Sequence, residues 1–508
     1  MGKSRGKKAL LSSIVALTLE IVTTVSGLII PRLILRNFGS EVNGLISSIT
    51  QFLGYISLLQ LGAGGVIRAA LYKPLAEQDN IQISKVVKAA DIFFGKIALA
   101  SVFYIVVLSF VYPYISKNSF DFWYVCGMVL ILGIDSVAQY AWGFPKRQLL
   151  YADQHSYIYD FIRIIAISVN VVATVILIHL GCEIHIVKLV SAVVFVLQPY
   201  GINWYATKHY KLIKKIAPDN EAVKQRWAGV GYSLADFVHK KTDIFVLTIF
   251  SDLRQVSVYS VYALVVNGVN SIISMATYSF QSALGDMLAK KESETLDRTM
   301  DLYLFLVHVI STVVFSVTLC LIVPFARLYT HGVTDTEYAR PLFAFLIVSA
   351  EMLYCLRQPL QSMILAAGHF KQTQKGAITE AAINLILSII LVHRFGIDGV
   401  AVGTVIGMIY RTIDLSLYLK DNIICIKLWK IVKRYIITII QVGIIVLTFN
   451  HINIEIESAI SWIITAIVTF GAASIFVASV NYALYRNEFF SVISKTKAAL
   501  GFKSTKRT

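Results

Sequence analysis

The chain has 508 residues, of which 56% are hydrophobic and only 15% are charged, and its formal net charge is +16. Soluble proteins average about 45–50% apolar and about 25% charged residues, so this composition excludes a soluble multidomain enzyme. It also excludes a disordered chain, which requires low hydrophobicity. The composition predicts a polytopic membrane protein, in which the position of the basic residues reports topology.

A membrane-spanning helix needs about 20 mostly apolar residues, and fourteen stretches of the sequence meet that requirement. The short polar break from His393 to Gly399 separates the eleventh from the twelfth, so the count depends on it. We therefore expect an all-α integral membrane protein with about fourteen transmembrane helices. In chain order, the predicted spans are 9–37, 41–71, 86–113, 121–149, 156–180, 185–206, 228–250, 255–287, 299–325, 341–365, 376–393, 397–419, 432–450 and 457–485.

The longest polar break divides the helices into two sets that begin alike. Asn37–Ser47 follows the first span, Phe250–Ser260 follows the seventh, and each leads into a long helix with a polar end. Such internal repeats are typical of transporters, whose substrate site lies at the repeat interface. We expect five segments: a lobe of helices 1–6, a cytoplasmic linker, a lobe of helices 7–12, helices 13–14 with their preceding cytoplasmic loop, and a basic cytoplasmic tail. Their bounds are 1–206, 207–227, 228–419, 420–485 and 486–508.

The basic residues are distributed asymmetrically between the two ends of these spans. If the N-terminus is cytoplasmic, 33 of the 46 lie in cytoplasmic segments and eight lie at outer ends. This asymmetry follows the positive-inside rule. It predicts a protein of the cytoplasmic membrane with both termini in the cytoplasm, and it argues against binding to nucleic acid. Five basic residues remain inside spans: Lys96, Arg163, Lys240, Lys241 and Arg357.

The seventh span carries the densest group of ionisable residues. At 100° per residue, Asp236, His239, Lys240 and Asp243 share one face, whereas Lys241 points elsewhere. One interpretation is a self-neutralised salt bridge that holds helices together. The other is a cavity wall whose cations, Lys240 and Lys241, bind an anionic substrate while an acid or His239 titrates.

Two further spans carry polar stripes at helical spacing. These stripes fit hydrogen bonding between helices, and they equally fit a cavity that binds sugar hydroxyls, which need donors and acceptors together. The residues predicted to line such a cavity are Asn43, Ser47, Gln51 and Tyr55 in span two, and Asn267, Asn270, Ser274 and Tyr278 in span eight.

Span ten adds Arg357, whose planar guanidinium suits a phosphate. An internal ion pair with Glu351 is the alternative. Glu351 and Glu380 join Asp236, His239 and Asp243 as candidate ion-coupling groups. Smaller polar groups elsewhere fit either a proton relay or helix packing: Asp135 with Gln139, and Asp160 with Arg163.

The sequence contains no convincing catalytic or metal-binding constellation. Gly62–Gly65 lacks the Lys-Ser/Thr of a Walker loop, no His-Glu-x-x-His pair occurs, and the five cysteines are scattered. We therefore expect a protein that is not an enzyme and that has no cofactor, no metal and no catalytic residues. Without ATP machinery, uphill transport would draw on H⁺ or Na⁺ gradients or on consumption of the substrate.

Four stretches resemble the polysaccharide-transport (Wzx-type) flippases of the multidrug/oligosaccharidyl-lipid/polysaccharide exporter superfamily. They are Pro31–Leu71, His239–Asp252, Ser279–Glu292 and Gly396–Gly403. The resemblance implies two six-helix lobes around a central cavity lined by helices one, two, seven and eight, followed by two C-terminal helices. It also implies a cargo of oligosaccharide on polyprenyl (undecaprenyl) pyrophosphate, carried to the outer leaflet by alternating access.

The leading hypothesis is therefore a flippase for lipid-linked oligosaccharide that supplies capsule, O-antigen or a similar polymer. Its expected partners are membrane lipids and the polymerase or glycosyltransferases of the same pathway. The alternatives are an ion-coupled multidrug exporter, which the intramembrane cations disfavour, and a lipid II flippase, whose arginine patterns are absent. A membrane glycosyltransferase or polymerase is disfavoured because the outer loops are short.

Overall fold

The computed structural model describes residues 2–60, 62–116, 119–213, 215–221, 230–424, 427–452, 454 and 456–499. Within these ranges, the side chains of residues 2–7, 9, 230–236, 238–240, 276, 278–279, 493 and 495–499 are not described. The described chain is helical and contains no strand, and the predicted all-α fold class is confirmed.

The first half of the chain forms eight α-helices, which contain most residues of each predicted span in this half, while positions 61, 228 and 229 of those spans lie outside the described residues. A 3₁₀ turn, Tyr55–Gln60, precedes α2, and a π turn, Gln139–Gly143, separates α4 from α5. The helices are α1 (Gly2–Gly54), α2 (Ala63–Glu77), α3 (Asn80–Ile115), α4 (Phe122–Ala138), α5 (Phe144–Ala152), α6 (Ser156–His179), α7 (Ile184–His209) and α8 (Val230–Phe250).

The second half forms seven more helices, the last of which lies beyond the predicted spans. They are α9 (Leu253–Ala289), α10 (Ser293–Tyr329), α11 (Pro341–Ala366), α12 (Gln374–Asn422), α13 (Leu428–Ile452), α14 (Ala459–Leu484) and α15 (Arg486–Ala499). Local sequence sets several of the helix starts. Asp79 accepts hydrogen bonds from the main-chain N–H groups of Ile81 and Gln82 at the start of α3, as an N-cap residue does.

Two glycines divide the longest helices into pairs of spans. Gly39 in α1 has φ 84° and ψ 175°, and Gly396 in α12 has φ 54° and ψ −131°. Residues with a Cβ rarely adopt such angles, whereas glycine does so at little cost. The bend at Gly39 separates the first two predicted spans, and the bend at Gly396 separates the eleventh from the twelfth.

Eleven helical segments of the described chain are long and apolar enough to cross a membrane. The segment Leu10–Gln60, which includes most of α1, has 51 residues, and Gln374–Asn422, which is α12, has 49. Each of these two segments includes one of the glycine bends. The charged residues of α8 keep it outside this set, although it has 21 residues. The described helices therefore accommodate the fourteen predicted spans.

The chain divides into two compact units with separate cores. Unit 1 comprises Met1–Ser257 and Gly332–Thr336, and unit 2 comprises Val258–His331 and Glu337–Thr508. In unit 2, the rings of Phe280 and Tyr303 stack with centroids 4.4 Å apart within the core. Helix α8 belongs to unit 1, and part of the predicted linker lies outside the described residues. The predicted lobe boundaries at 207–227 therefore stay a prediction.

Candidate functional site

In unit 1, α8 packs against the second half of α1, and both elements carry predicted cavity residues. The hydroxyls of Ser48 and Thr248 share a hydrogen bond of 2.6 Å. One helical turn further along α1, the ring centroids of Phe52 and Phe245 lie 5.3 Å apart. This packing fixes the position of the neighbouring polar residues Gln51 on α1 and Lys241 on α8.

Lys241, Gln51 and Tyr55 form one cluster at this contact. The Lys241 ammonium donates to Gln51 Oε1 across 3.3 Å. The main-chain oxygen of Lys241 accepts hydrogen bonds from Gln51 Nε2 at 3.0 Å and from the Tyr55 hydroxyl at 3.4 Å. Lys241 and Tyr55 are only partly buried. We name these three residues the Lys241 cluster. It combines a cation with an amide and a phenol, groups that can bind phosphate oxygens and hydroxyls.

The remaining charged stripe of α8 is described only in part. Asp243 is buried. The side chains of Asp236, His239 and Lys240 lie outside the described residues, as does that of Tyr278 in α9. Their predicted roles therefore stay predictions.

The α1 residues nearer the Gly39 bend hold the start of α9. Asn43 donates to the hydroxyl of Ser257 at 2.8 Å, whereas Ser47 is half-buried on the same helix. A Cβ at Gly44 would overlap the main-chain carbonyl of Leu253, so only glycine permits this approach. Asn43 thus has a packing contact in addition to its predicted place in a cavity.

In unit 2, predicted residues of α9 and α11 form an amide and hydroxyl network. Asn270 donates to Glu351 Oε1 at 2.5 Å, and Ser274 donates to Asn270 Oδ1 at 3.0 Å. Gln358 donates to the Ser274 hydroxyl at 3.2 Å. Asn267, on the same helix, is exposed. Asn270 and Ser274 thus take part in hydrogen bonding between helices, one of the two interpretations of this stripe, and their place in a cavity stays a prediction.

Arg357 lies in a buried ion-pair cluster. Its side chain is only 3% exposed, and it donates to Glu380 Oε1 of α12 at 2.6 Å. The other carboxylate oxygen of Glu380 lies 3.6 Å from Arg411, which also donates to Asp414 at 2.6 Å. The alternative pair with Glu351 is not among the ion pairs described for Arg357, and Glu351 accepts a hydrogen bond from Asn270. Two of the predicted residues, Arg357 and Glu380, are thus brought together by different helices.

A cavity of about 510 Å³ lies inside unit 1 and contains none of the predicted site residues. The acid–amide pair of span four, Asp135 with Gln139, belongs to its lining, although neither residue was among the predicted site residues. Residues of α1, α4, α5, α6, α7 and the two turns line the cavity, among them Gln60, Asp135, Gln139, Arg147, Arg163 and Gln198.

The turn between α5 and α6 holds a carboxylate with two donors. Asp153 Oδ2 accepts from the Tyr210 hydroxyl at 2.7 Å and lies 2.9 Å from His155 Nδ1. Burial alone would raise the pKa of Asp153, but the hydrogen bonds from His155 and Tyr210 outweigh it and lower that pKa. Burial and the neighbouring carboxylate raise the pKa of the Tyr210 phenol.

The part of the chain that the structure describes offers no set of side chains that could bind a metal ion. No group of three His, Cys, Asp or Glu side chains there is arranged to hold a metal ion. Several acids instead pair with arginine or lysine, as Glu380 does with Arg357.

Solved structures of membrane transporters share this fold. A structure described as the lipid II flippase MurJ, in an inward closed conformation, matches with a TM-score of 0.72 and 15% identity over 93% of this chain and 99% of that chain. An inward-facing MATE multidrug transporter matches with a TM-score of 0.53 and 14% identity over 80% and 96%. The MATE transporter DinF-BH in complex with R6G matches with a TM-score of 0.54 and 18% identity over 82% and 95%.

These similarities show that the chain has the fold of the MurJ and MATE transporters of the MOP superfamily. The fold implied by the sequence resemblance is thereby confirmed, while the polysaccharide-transport subfamily stays a prediction. No protein-family model matches the chain, and no curated protein matches it in sequence.

Proposed function

We propose that the protein is a flippase for oligosaccharide linked to polyprenyl pyrophosphate, which it carries across the cytoplasmic membrane for surface-polysaccharide synthesis. The observation that carries the proposal is the Lys241 cluster. A lysine in a membrane helix is expensive, and this one is only partly buried beside an amide and a phenol. That combination suits a headgroup in which phosphate and hydroxyls adjoin.

The charges of the helices support an anionic cargo. Pyrophosphate and a hydrated glycan cannot enter hydrocarbon unless opposite charges and hydrogen bonds replace their contacts with water. Lys241 and Lys240 of α8 would supply the opposite charges. Cationic drugs would be repelled by the same side chains, which disfavours a multidrug exporter. Arg357 is a weaker candidate for direct contact, because it already neutralises Glu380.

We assign Glu380 the leading place among the candidate ion-coupling groups. It is 4% exposed and lies between Arg357 and Arg411. Protonation of Glu380 would release both arginines from a shared carboxylate and so change the charge inside unit 2. Asp243 and Glu351 are the second choice, and Asp236 and His239 remain candidates from sequence alone. A Na⁺-driven cycle is the alternative to a proton-driven one.

A lipid II flippase is the second candidate function. The MurJ match covers 93% of this chain with a TM-score of 0.72. Because α13 and α14 together make up more than the uncovered part of the chain, the match must include some of these two helices. The MATE matches cover 80–82% with TM-scores near 0.5. Both candidate functions share the transport of a lipid-linked sugar, so the experiment must separate their cargoes.

Deletion of the gene tests the proposal. We expect loss of a surface polysaccharide and accumulation of its lipid-linked repeat unit on the cytoplasmic leaflet, both restored by the wild-type gene. Depletion that instead causes lipid II to accumulate, with surface polysaccharide unchanged, would favour the second candidate. Normal leaflet distribution of both lipids would contradict both.

A further inference from the structure

The cavity inside unit 1 is large enough for a small organic ligand and is separate from the Lys241 cluster. Its volume of about 510 Å³ falls within the roughly 300–1,000 Å³ typical of ligand pockets. A single water molecule occupies about 30 Å³ of liquid, so one bound water would not fill it.

Three polar side chains that line the cavity have buried atoms without a hydrogen-bond partner among the described residues. They are Gln198 Nε2, Gln60 Oε1 and Arg147 Nε. Gln198 is only 3% exposed, and its Oε1 is held by Gln139 Nε2 at 3.4 Å. Buried polar groups are normally paired. Two donors and one acceptor in the cavity wall therefore lack a partner, and a small side-chain rotation would let a ligand that offers both kinds of group pair with them.

The charges at the cavity are balanced by neighbouring residues. The lining residues Asp135 and Arg163 interact electrostatically, and Asp160, which is buried but does not line the cavity, interacts with both Arg147 and Arg163. Arg163 also donates to the Tyr159 hydroxyl at 3.2 Å. Both arginines of the lining thus already have a carboxylate neighbour. A metal cation would meet two guanidinium groups, and an anion would find no arginine without a counter-charge, so a neutral ligand fits best.

Aromatic rings supply the apolar part of the lining. Tyr140, Phe144, Tyr159 and Phe195 all face the cavity. Arg147 lies over the ring of Tyr159, with its Cζ 4.7 Å from the centroid. A site that combines rings with a few converging polar groups is typical of pockets that orient a small molecule. A sugar offers such a surface, because its ring presents C–H faces and its edge presents hydroxyls.

One interruption of regular α-helix adjoins the cavity. The π turn Gln139–Gly143 supplies two lining residues. A Cβ at Gly143 would lie 2.8 Å from Pro199 Cβ in α7, so the turn packs closely against the helix that carries the lining residue Gln198. π turns occur often at functional sites.

We infer that this cavity binds one neutral sugar residue of the cargo glycan, so that unit 1 contains a glycan subsite distinct from the Lys241 cluster. The inference rests on the proposed function for the origin of the sugar, but its chemistry is tested by binding alone. Gln198 donates to a hydroxyl from Nε2, Gln60 accepts at Oε1, and the rings cover the C–H faces.

Saturation-transfer NMR on the full-length protein in nanodiscs tests this site directly. The probes are D-glucose, D-galactose, N-acetyl-D-glucosamine and D-glucuronic acid, each compared with empty nanodiscs. We expect transfer to at least one neutral probe and weaker transfer to the acidic one. Gln198→Leu removes the Nε2 donor to the probe, together with the contact from Gln139, and should weaken binding of the neutral probe about threefold to tenfold.

Gln441→Leu is the matched control. Gln441 in α13 is 2% exposed, and both its polar side-chain atoms lack partners among the described residues, but its void is only about 10 Å³. We expect this variant to bind the probe as the wild type does. If Gln198→Leu lowers thermal stability more than the control, Gln60→Met is measured in its place and should show the same loss.

Three results would overturn the subsite. They are no transfer to any neutral probe, unchanged binding in both Gln198→Leu and Gln60→Met, and an equal loss in Gln441→Leu. Stronger transfer to D-glucuronic acid would overturn its assignment to neutral sugars. None of these outcomes depends on the leaflet distribution in the deletion strain, so the subsite and the flippase proposal can fail separately.

Discussion

Lys241 contacts Gln51 twice: its ammonium donates to Gln51 Oε1 at 3.3 Å, and its carbonyl accepts from Gln51 Nε2 at 3.0 Å. The amide therefore contacts both the main chain and the side chain of this lysine of α8. A cation held in this way is pre-positioned, and a bound phosphate would gain a charge-assisted hydrogen bond without reordering a flexible side chain.

Lys241→Gln should reduce transport of a pyrophosphate-linked cargo while membrane insertion stays normal. Hydrogen bonds to charged groups contribute about 1.5–3 kcal/mol, so we expect a roughly tenfold to hundredfold loss in a complementation or vesicle assay. Lys290→Gln is the matched control, because Lys290 is exposed and pairs only with nearby Asp286 among its described contacts. Full activity of Lys241→Gln would contradict the role of the Lys241 cluster.

Arg357→Gln should be destabilising because it leaves Glu380 with fewer counter-charges in a buried site. Breaking a buried ion pair costs about 3–5 kcal/mol, and removing both charges can restore stability. We therefore expect the double variant Arg357→Gln, Glu380→Gln to recover most of the thermal stability lost by the single variant.

The same double variant separates the two roles of Arg357. Recovery of stability together with transport would assign Arg357 to helix packing. Recovery of stability without transport would support a role in binding cargo or coupling ions. A double variant less stable than the single one would contradict the ion pair itself.

Gly44→Ala should destabilise unit 1, because the added methyl would overlap the Leu253 carbonyl. Overpacking of this kind costs typically about 1–3 kcal/mol, which thermal unfolding in detergent would report as a lower midpoint. Gly54→Ala on the same helix is the control, since nothing lies within 4 Å of its added Cβ. Equal midpoints for the two variants would contradict the close approach at Gly44.

Acid should destabilise the turn between α5 and α6. The folded chain lowers the pKa of Asp153, so its carboxylate favours the folded state above the ordinary pKa of about 3.9. That stabilisation is lost as the pH falls through the lowered pKa. We expect Asp153→Asn to flatten the fall in unfolding midpoint below about pH 4, where free aspartate titrates. A fall as steep as that of the wild type would contradict this assignment.

Hydropathy was sufficient to predict the helices that are long and apolar enough to cross a membrane, since each span needs its own apolar length, but it did not predict α15. Even the division at Gly396 follows from a short polar break. Contacts between distant helices were harder to predict. The sequence offered Glu351, on the same helix, as a partner for Arg357, whereas the observed partner of Arg357 is Glu380 of α12. No periodicity within one helix indicates which neighbour lies opposite.

The unit 1 cavity shows a second limit of sequence reasoning. Arg147 lies at the end of a predicted span, so its charge is explained by topology alone. Gln60 and Gln198 are isolated polar residues with no periodic pattern. Their convergence depends on α7 and the 3₁₀ turn meeting at one place. The π turn Gln139–Gly143 also has no signature in hydropathy.

Reconstitution tests the central claim most directly. Purified protein is placed in vesicles that contain a fluorescent polyprenyl-pyrophosphate-linked oligosaccharide, and an impermeant glycosidase reports how much cargo reaches the outer leaflet. We predict that the protein accelerates exposure of the inner-leaflet cargo relative to protein-free vesicles, and that Lys241→Gln slows it. Exposure at the same rate with and without protein, under both H⁺ and Na⁺ gradients, would contradict the flippase account.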